Sequence, residues 1–340
     1  MTVLPGRSFL VRPPKQGVDI GGDRVLLCCE SSFANSISNV RFTRVPKLIR
    51  PARVLVTGAD GTLGRPTVEG LTDRGIAVSG LSRTWSAPTR ADRVFTGDAA
   101  DEDLVREALR DVEAVVHLAA TAHPSLDTPR AVFVGNTSAT FTVLATAGEA
   151  GVRRAVIASS INAFGVPMNR HDVRPAYYPL DEASPVAHDD AYSLSKWVDE
   201  HIGAYAASRW DMTVVALRFP LVRKLDVLRK TVPQMLAAPG EAARLAREGW
   251  AYLEMTDAVD AIVRGLTEPV SGMHTLLVAA EDTIMAEATE DLLDRYADGV
   301  QRHRSFAGRQ APVDTSAARR VLGWAPAISI EDGQNVEATA

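Results

Sequence analysis

The sequence predicts an α/β fold: a doubly wound parallel sheet with helices on both faces and a small C-terminal lobe. Three observations carry this. From Ala52 onward, short apolar runs alternate with helical patterns, as in β-α units stacked into a parallel sheet. The first run, Val54-Leu55-Val56, breaks into Gly58-x-x-Gly61-x-x-Gly64 and then a helical pattern with Leu63, Val68 and Leu71 on one side. Farther on, Tyr192 and Lys196 stand four apart in a helical stretch, hence on one helix face.

Arg53–Val56 is the first expected strand. Gly58 permits a tight turn after it. Gly61 lets backbone N–H groups approach a pyrophosphate, and Gly64 lets the helix Thr62–Arg74 pack close to the strand. The helix N-terminus then offers unpaired N–H groups and its positive dipole end to phosphates. Ile76–Leu81 and Arg93–Phe95 read as the second and third strands, with Glu102–Arg110 a helix after them. Ala114–His117 is the fourth strand and runs into Leu118-Ala119-Ala120. A long helix, Arg130–Ala150, precedes the buried strand Ala155–Ala158. The helix Ala191–Ser208 and the strand Thr213–Leu217 complete the series. Right-handed crossovers make such a series doubly wound, and ligands then bind beyond the carboxyl ends of the strands.

Residues 1–50 differ, with eight Lys/Arg against three acids and no clear period. They read as a poorly ordered basic leader, the alternative being a targeting or partner-binding arm. Residues 51–335 form one expected domain, with its cofactor part at about 51–218 and its substrate lobe mainly at 166–190 and 219–330. A chain of 340 residues, 46% hydrophobic and 23% charged, has ample length for a buried core. A net charge of −5 gives no reason to expect nucleic acid or a membrane surface as partner. No apolar run approaches the roughly 18 residues of a membrane-spanning helix. Cys28 and Cys29 are the only cysteines; such neighbours rarely pair, which points to a reducing cytoplasm. The seven histidines are scattered, so no metal site is expected.

Where NAD is bound, an acid at the end of the second strand commonly accepts from the ribose 2′-hydroxyl. Here the strand ends Gly80-Leu81-Ser82-Arg83-Thr84. Ser82 and Arg83 instead suit the 2′-phosphate of NADP, through a charge-assisted, forked contact; the bland reading is a solvated arginine, with NAD as coenzyme. Asp98, after Thr96-Gly97, can accept from the adenine amino group or act as a turn residue or helix cap.

Tyrosine is a poor base, with a pKa of about 10. A nearby Lys196 ammonium and an oxidised nicotinamide favour the phenolate of Tyr192 and bring it towards working pH. Ser159-Ser160 ends a strand, where a hydroxyl can hold the substrate oxygen while Tyr192 exchanges its proton. Alone, Tyr-x-x-x-Lys is a frequent helical accident. With the glycine turn and the Ser-Ser strand end in this order, accident becomes an inadequate account.

Together these residues resemble the extended short-chain dehydrogenase/reductases, the NAD(P)-dependent epimerase/dehydratases. The resemblance spans about residues 52–330, through Thr57–Gly64, Gly97-Asp98, His117–Ala120, Asn136, Ser159-Ser160, Tyr192/Lys196 and Leu217-Arg218. It continues through Thr256–Val259 to Leu322-Gly323-Trp324-Ala325-Pro326. It implies a Rossmann-like fold and a triad of Ser160, Tyr192 and Lys196, with Asn136 supporting the lysine through water. Family spacing to Gly165 selects Ser160 over Ser159. The coenzyme, NADP or alternatively NAD, is then held by Gly58, Asp60, Gly61, Thr62, Leu63, Gly64, Ser82, Arg83, Asp98, Leu118, Ala119 and Ala120, together with Tyr192 and Lys196. His117 is expected to be packed at its strand end, and the Leu-Gly-Trp-x-Pro segment to serve packing. The resemblance also implies a homodimer joined along the tyrosine helix.

The chain departs from the family in having Phe164 in place of a frequent tyrosine. Phe219-Pro220-Leu221-Val222-Arg223-Lys224 stands where an Asn and a Gly-Pro often follow Leu-Arg. The family's nucleotide-sugar enzymes use that region for the sugar nucleotide. Only residues 219–256 separate Arg218 from Asp257, a short interval for enclosing a uridine diphosphate. Arg223, Lys224, Arg229 and Lys230 read as a solvated face, and Trp250 and Tyr252 as aromatic surface bordering a compact ring. The leading expectation is therefore a sugar or sugar-acid oxidoreductase similar to the family's uronate dehydrogenases. A nucleotide-sugar 4-epimerase is the alternative. A non-catalytic NADP sensor fits less well, because it has no need of a proton relay.

Overall fold

A computed structural model describes residues 50–332. Most of the expected basic leader, and both cysteines, lie outside the described residues. The first half follows the expected alternation: β1 (Arg53–Thr57), α1 (Gly64–Asp73), β2 (Ala77–Ser82), β3 (Arg93–Thr96), α2 (Glu102–Ala108), β4 (Ala114–His117), α3 (Pro129–Glu149) and β5 (Arg154–Ser160). After the short β6 (Tyr177–Tyr178) come α4 (Ala191–Trp210), β7 (Thr213–Phe219), β8 (Leu221–Arg223), α5 (Leu225–Leu236) and α6 (Glu241–Ala246). The rest comprises β9 (Tyr252–Glu254), α7 (Met255–Thr267), β10 (Met273–Leu277), α8 (Thr289–Tyr296), β11 (Gln301–Arg302) and α9 (Ser316–Leu322).

Seven strands form one parallel sheet in the order β10-β7-β5-β4-β1-β2-β3. The seventh, β10, was not among the expected strands. Its Met-His-Thr-Leu-Leu is only partly buried, at the sheet edge. The central strands are apolar on both sides because each side meets a helical layer. Val54, Val56, Val116, Val156 and Val215 pack with Val68, Leu71, Ile262 and Trp324 of one layer. The intervening Leu55, Val115, Ala155, Ile157 and Val214 pack with Val105, Val143, Leu144 and Ala206 of the other. This is the period-two alternation of a strand, used twice.

A third apolar cluster gathers Phe164, Tyr178, Leu228, Leu245, Trp250, Tyr252, Leu277 and Leu292. It joins the 161–180 segment to the chain beyond β7, alongside the small pairs β8-β9 and β6-β11. Among the described residues no helix is long and apolar enough to cross a membrane, and no three His, Cys, Asp or Glu side chains gather as a metal site.

Candidate active site

The glycine turn is shaped by contacts rather than by flexibility alone. Gly58 has φ +66°, and a Cβ there would lie 2.8 Å from Ala119 N. A Cβ on Gly64 would lie 2.0 Å from the Gly58 carbonyl oxygen, so only glycine lets α1 start against the turn. Gly61 N–H donates to that same carbonyl at 2.9 Å. Leu63 caps α1 without a side-chain hydrogen bond. Arg65 N–H turns back to Gly61 O at 3.1 Å and Pro66 has no N–H, so among the described residues Gly64 N–H is the first-turn donor left for an anion.

Beyond these strand ends lies a cleft of about 260 Å³. Gly58, Asp60, Gly61, Ser82, Arg83, Asp98, Leu118, Ala119, Ala120 and Asn136 line it, as do Gly97, Thr121 and Gly135. Thr62, Leu63 and Gly64 are not part of its wall; they build the helix start behind it. Asp60 accepts from Ser86 N–H at 2.7 Å and pairs with Arg65. Burial pushes its carboxyl up, but the Ser86 hydrogen bonds and Arg65 together leave it below the usual range. Asp60 thus holds the loop after β2 by its side chain. Arg83 is exposed and has no hydrogen bond or ion pair among the described residues, so its guanidinium is available. Asp98 Oδ1 accepts from Ala100 N–H at 2.9 Å, the turn role, on the wall of the same cleft. The glycine cradle, the Gly64 N–H at the helix start and the exposed Arg83 fit a nicotinamide dinucleotide.

The side chains expected to handle protons stand at the end of β5 and the start of α4. Ser159 and Ser160 separate cleanly: Ser159 Oγ donates to Glu200 Oε1 at 2.5 Å, inside the fold. Ser160 Oγ accepts from Asn162 N–H at 3.1 Å and Asn162 Nδ2 at 3.2 Å, which leaves its own proton to donate. Tyr192 is 7% exposed, and its hydroxyl makes no hydrogen bond among the described residues. Lys196 Nζ donates to Ala158 O at 2.9 Å and to Asp199 Oδ2 at 3.2 Å.

Asn136 makes three hydrogen bonds to protein partners. Its Oδ1 accepts from Thr121 N–H at 2.7 Å, and its Nδ2 donates to Thr121 O at 3.2 Å and Ser195 Oγ at 2.9 Å. It braces the strand extension against α4 and makes no direct contact with the lysine. His117 is fully internal: Nδ1 faces Thr57 Oγ1 at 2.8 Å and Nε2 faces Thr140 Oγ1 at 3.1 Å. Burial, then the Lys196 charge, pushes its pKa down to about 3, so the ring is neutral.

Two expectations on the substrate side are corrected. Trp250 and Tyr252 are both 0% exposed and border no open ring site. Trp250 Nε1 donates to Ala242 O at 2.8 Å, and the Tyr252 hydroxyl accepts from Ile330 N–H at 2.6 Å. The charged run is the expected solvated face at Arg223, Lys224 and Lys230, which are exposed, and departs from it at Arg229. Arg229 donates to the Ile330 and Asp332 carbonyls, and Arg223 to Val222 O. The Leu-Gly-Trp-x-Pro segment packs as expected: Trp324 is 0% exposed, and its Nε1 donates to Asp257 O at 3.1 Å. Asp199 and Glu200 were missed, although an acidic pair three and four residues after Lys196 is the spacing of helix neighbours.

The family model for NAD dependent epimerase/dehydratases matches residues 54–278. An L-arabinose 1-dehydrogenase (NAD(P)(+)) from Haloferax volcanii is 29% identical over 274 residues, covering 78% of this chain and 98% of the relative. A UDP-glucose 4-epimerase from Azospirillum brasilense is 29% identical over 188 residues, covering 53% of this chain and 51% of the relative. Among solved structures, an NAD-bound short-chain dehydrogenase/reductase superfamily protein from Agrobacterium tumefaciens superposes with a TM-score of 0.61 at 23% identity, covering 84% of this chain and 96% of its own. The glycine-cradled cleft, the Ser-Tyr-Lys group and the match over 54–278 lead to one conclusion: the chain belongs to the NAD-dependent epimerase/dehydratase family.

Proposed function

We propose that the protein is a dehydrogenase of a small free sugar or sugar acid, using NADP in preference to NAD. The observation that carries the choice of substrate is the state of the cations after β7. A sugar-nucleotide diphosphate needs several directed donors, yet Arg229 is tied to the backbone of 330–332, and the exposed Arg223, Lys224 and Lys230 are not part of the wall of the glycine-turn cleft. The relative matched along nearly all its length is named for L-arabinose, whereas the epimerase is matched over half of its own.

In this reading Ser160, its oxygen saturated by Asn162, donates to the substrate oxygen and fixes the reacting carbon. Tyr192 takes the hydroxyl proton as the carbonyl forms, and its own proton returns in the reverse direction. Lys196 favours the phenolate and would hold the nicotinamide ribose. The glycine turn would hold the pyrophosphate, and Ser82 and Arg83 the 2′-phosphate. When bound, the oxidised coenzyme supplies the hydride acceptor. The substrate side is formed by 166–190 and 219–330, around the third apolar cluster.

A homodimer belongs to the same reading. Phe141 of α3 and Tyr205 of α4 are 48% and 46% exposed and stack with centroids 6.1 Å apart, an apolar face suited to a second copy.

The test offers free aldoses and uronic acids singly with NADP+ and NAD+ and follows formation of reduced coenzyme. Turnover with such compounds, and none with UDP-sugars, is expected. Titration calorimetry with UDP checks the alternative. Micromolar binding, about −8 kcal/mol, would move the assignment to a nucleotide-sugar 4-epimerase.

A further inference from the structure

We propose that Asp199 is the positioning residue for Lys196, holding its ammonium in place and charged, and that it carries the supporting role the family resemblance gives to Asn136. The inference rests on the reading of Tyr192 and Lys196 as the proton-handling pair, and it adds a residue to that pair.

Lys196 and Asp199 lie one turn apart on α4, with side chains only 4% and 2% exposed and Nζ 3.2 Å from Oδ2. Ala158 O, from β5, takes a second hydrogen bond from Nζ at 2.9 Å. Asp199 is the one anion in salt-bridge range of this ammonium among the described residues. Glu200, next along the helix, is committed to Arg218 of β7 and Ser159 of β5. From α3, Thr140 faces the Asp199 carboxyl and also meets His117 of β4. His117 is neutral and supplies no charge. Asn136, on the same helix as Thr140, is held by Thr121 and Ser195. Asp199 Oδ1 has no hydrogen-bond partner among the described residues, so the carboxyl is held there chiefly by the lysine.

A buried ammonium deprived of its counterion loses its charge readily. Lys196 would then cease to stabilise the Tyr192 phenolate. The sign separates this from a direct effect. Removing a nearby negative charge, by itself, makes a phenol easier to ionise. Removing it through the lysine makes the phenol harder to ionise.

The experiment titrates tyrosinate absorbance against pH in the full chain saturated with NADP+, with Tyr192→Phe defining the Tyr192 signal. Asp199→Asn should move that signal to higher pH by about one unit or more. Lys196→Gln should do the same, and the double variant should add nothing further, because both act through one interaction. Asp199→Glu should return the signal towards wild type. Should Asp199→Asn not fold, Asp199→Ser is measured in its place. An unchanged or lowered midpoint, or additive shifts in the double variant, overturns the role of Asp199 while leaving the Tyr192 reading intact. If Tyr192→Phe removes no titrating signal from the wild-type profile, the proton-relay reading fails, and this inference with it. No sugar substrate is needed, so an error in the choice of substrate leaves the test unaffected.

Discussion

Glu200 grips Arg218 from two sides: Oε1 accepts from Nε at 2.8 Å and Oε2 from Nη2 at 2.8 Å. Both side chains are nearly buried, at 7% and 6% exposure. Ser159 joins through Oε1, and the Arg218 guanidinium lies 4.5 Å over the Phe164 ring. The pair therefore fastens α4 to β5 and β7, and it holds Ser159 apart from its neighbour Ser160. Removing one partner leaves a buried charge without compensation. Glu200→Ala is expected to lower stability by about 3–5 kcal/mol, read from urea denaturation. Replacing both residues by apolar ones of similar volume should restore much of the loss. A single substitution costing under about 1 kcal/mol would show the pair to be dispensable.

Tyr192→Phe keeps the ring and removes the proton. Turnover should fall by roughly 10²–10⁴-fold, with NADP affinity by fluorescence titration close to wild type. Near-normal turnover would transfer the acid/base role to another group.

Arg83→Asp exchanges a phosphate partner for an acceptor of the ribose 2′-hydroxyl. The ratio of kcat/KM for NADP over NAD should drop, chiefly through lost NADP affinity. A wild-type protein that already favours NAD by a large factor would contradict the reading of the second strand end.

His117 makes the fold sensitive to acid. Its folded pKa of about 3 lies below the ordinary 6.5, so between these values the unfolded chain binds a proton that the fold refuses. The stability involved is fully present above the unfolded pKa. It is lost as pH falls towards the folded value, by up to about 1.4 kcal/mol per pH unit. Denaturant melts of His117→Gln and wild type between pH about 7 and about 5 should show a shallower slope in the variant. Parallel slopes would mean that carboxylates alone carry the acid response.

The sheet was legible because its signals are local. A valine run, three glycines and a helical period follow one another between Arg53 and Leu71, and Tyr192 and Lys196 need only helix geometry to share a face. The substrate side was less legible because its partners are remote in sequence. Nothing near Trp250 announces that Ala242 will take its N–H, or near Tyr252 that Ile330 will meet its hydroxyl. Two aromatics beside a glycine look the same in sequence whether they line a pocket or fill a core. Asn136 was expected to support Lys196 through water, but its partners Thr121 and Ser195 come from the segment after β4 and from α4, and neither stands near it in sequence.

The last described residues act as a late fastener. Trp324 inserts beneath α7, Asp257 Oδ2 accepts from the N–H groups of Ala327 and Ile328, and Ile330 is bound by Arg229 and Tyr252. During synthesis, α5, β9 and α7 emerge from the ribosome well before these partners exist. Six of the seven sheet strands lie before Leu221, so they can pair while the rest is still being made. The segments after β7 then wait, with polar groups of Asp257, Arg229 and Tyr252 unmet, for a few residues near position 330. Until those residues emerge, the chain keeps these segments exposed to chaperones and to aggregation.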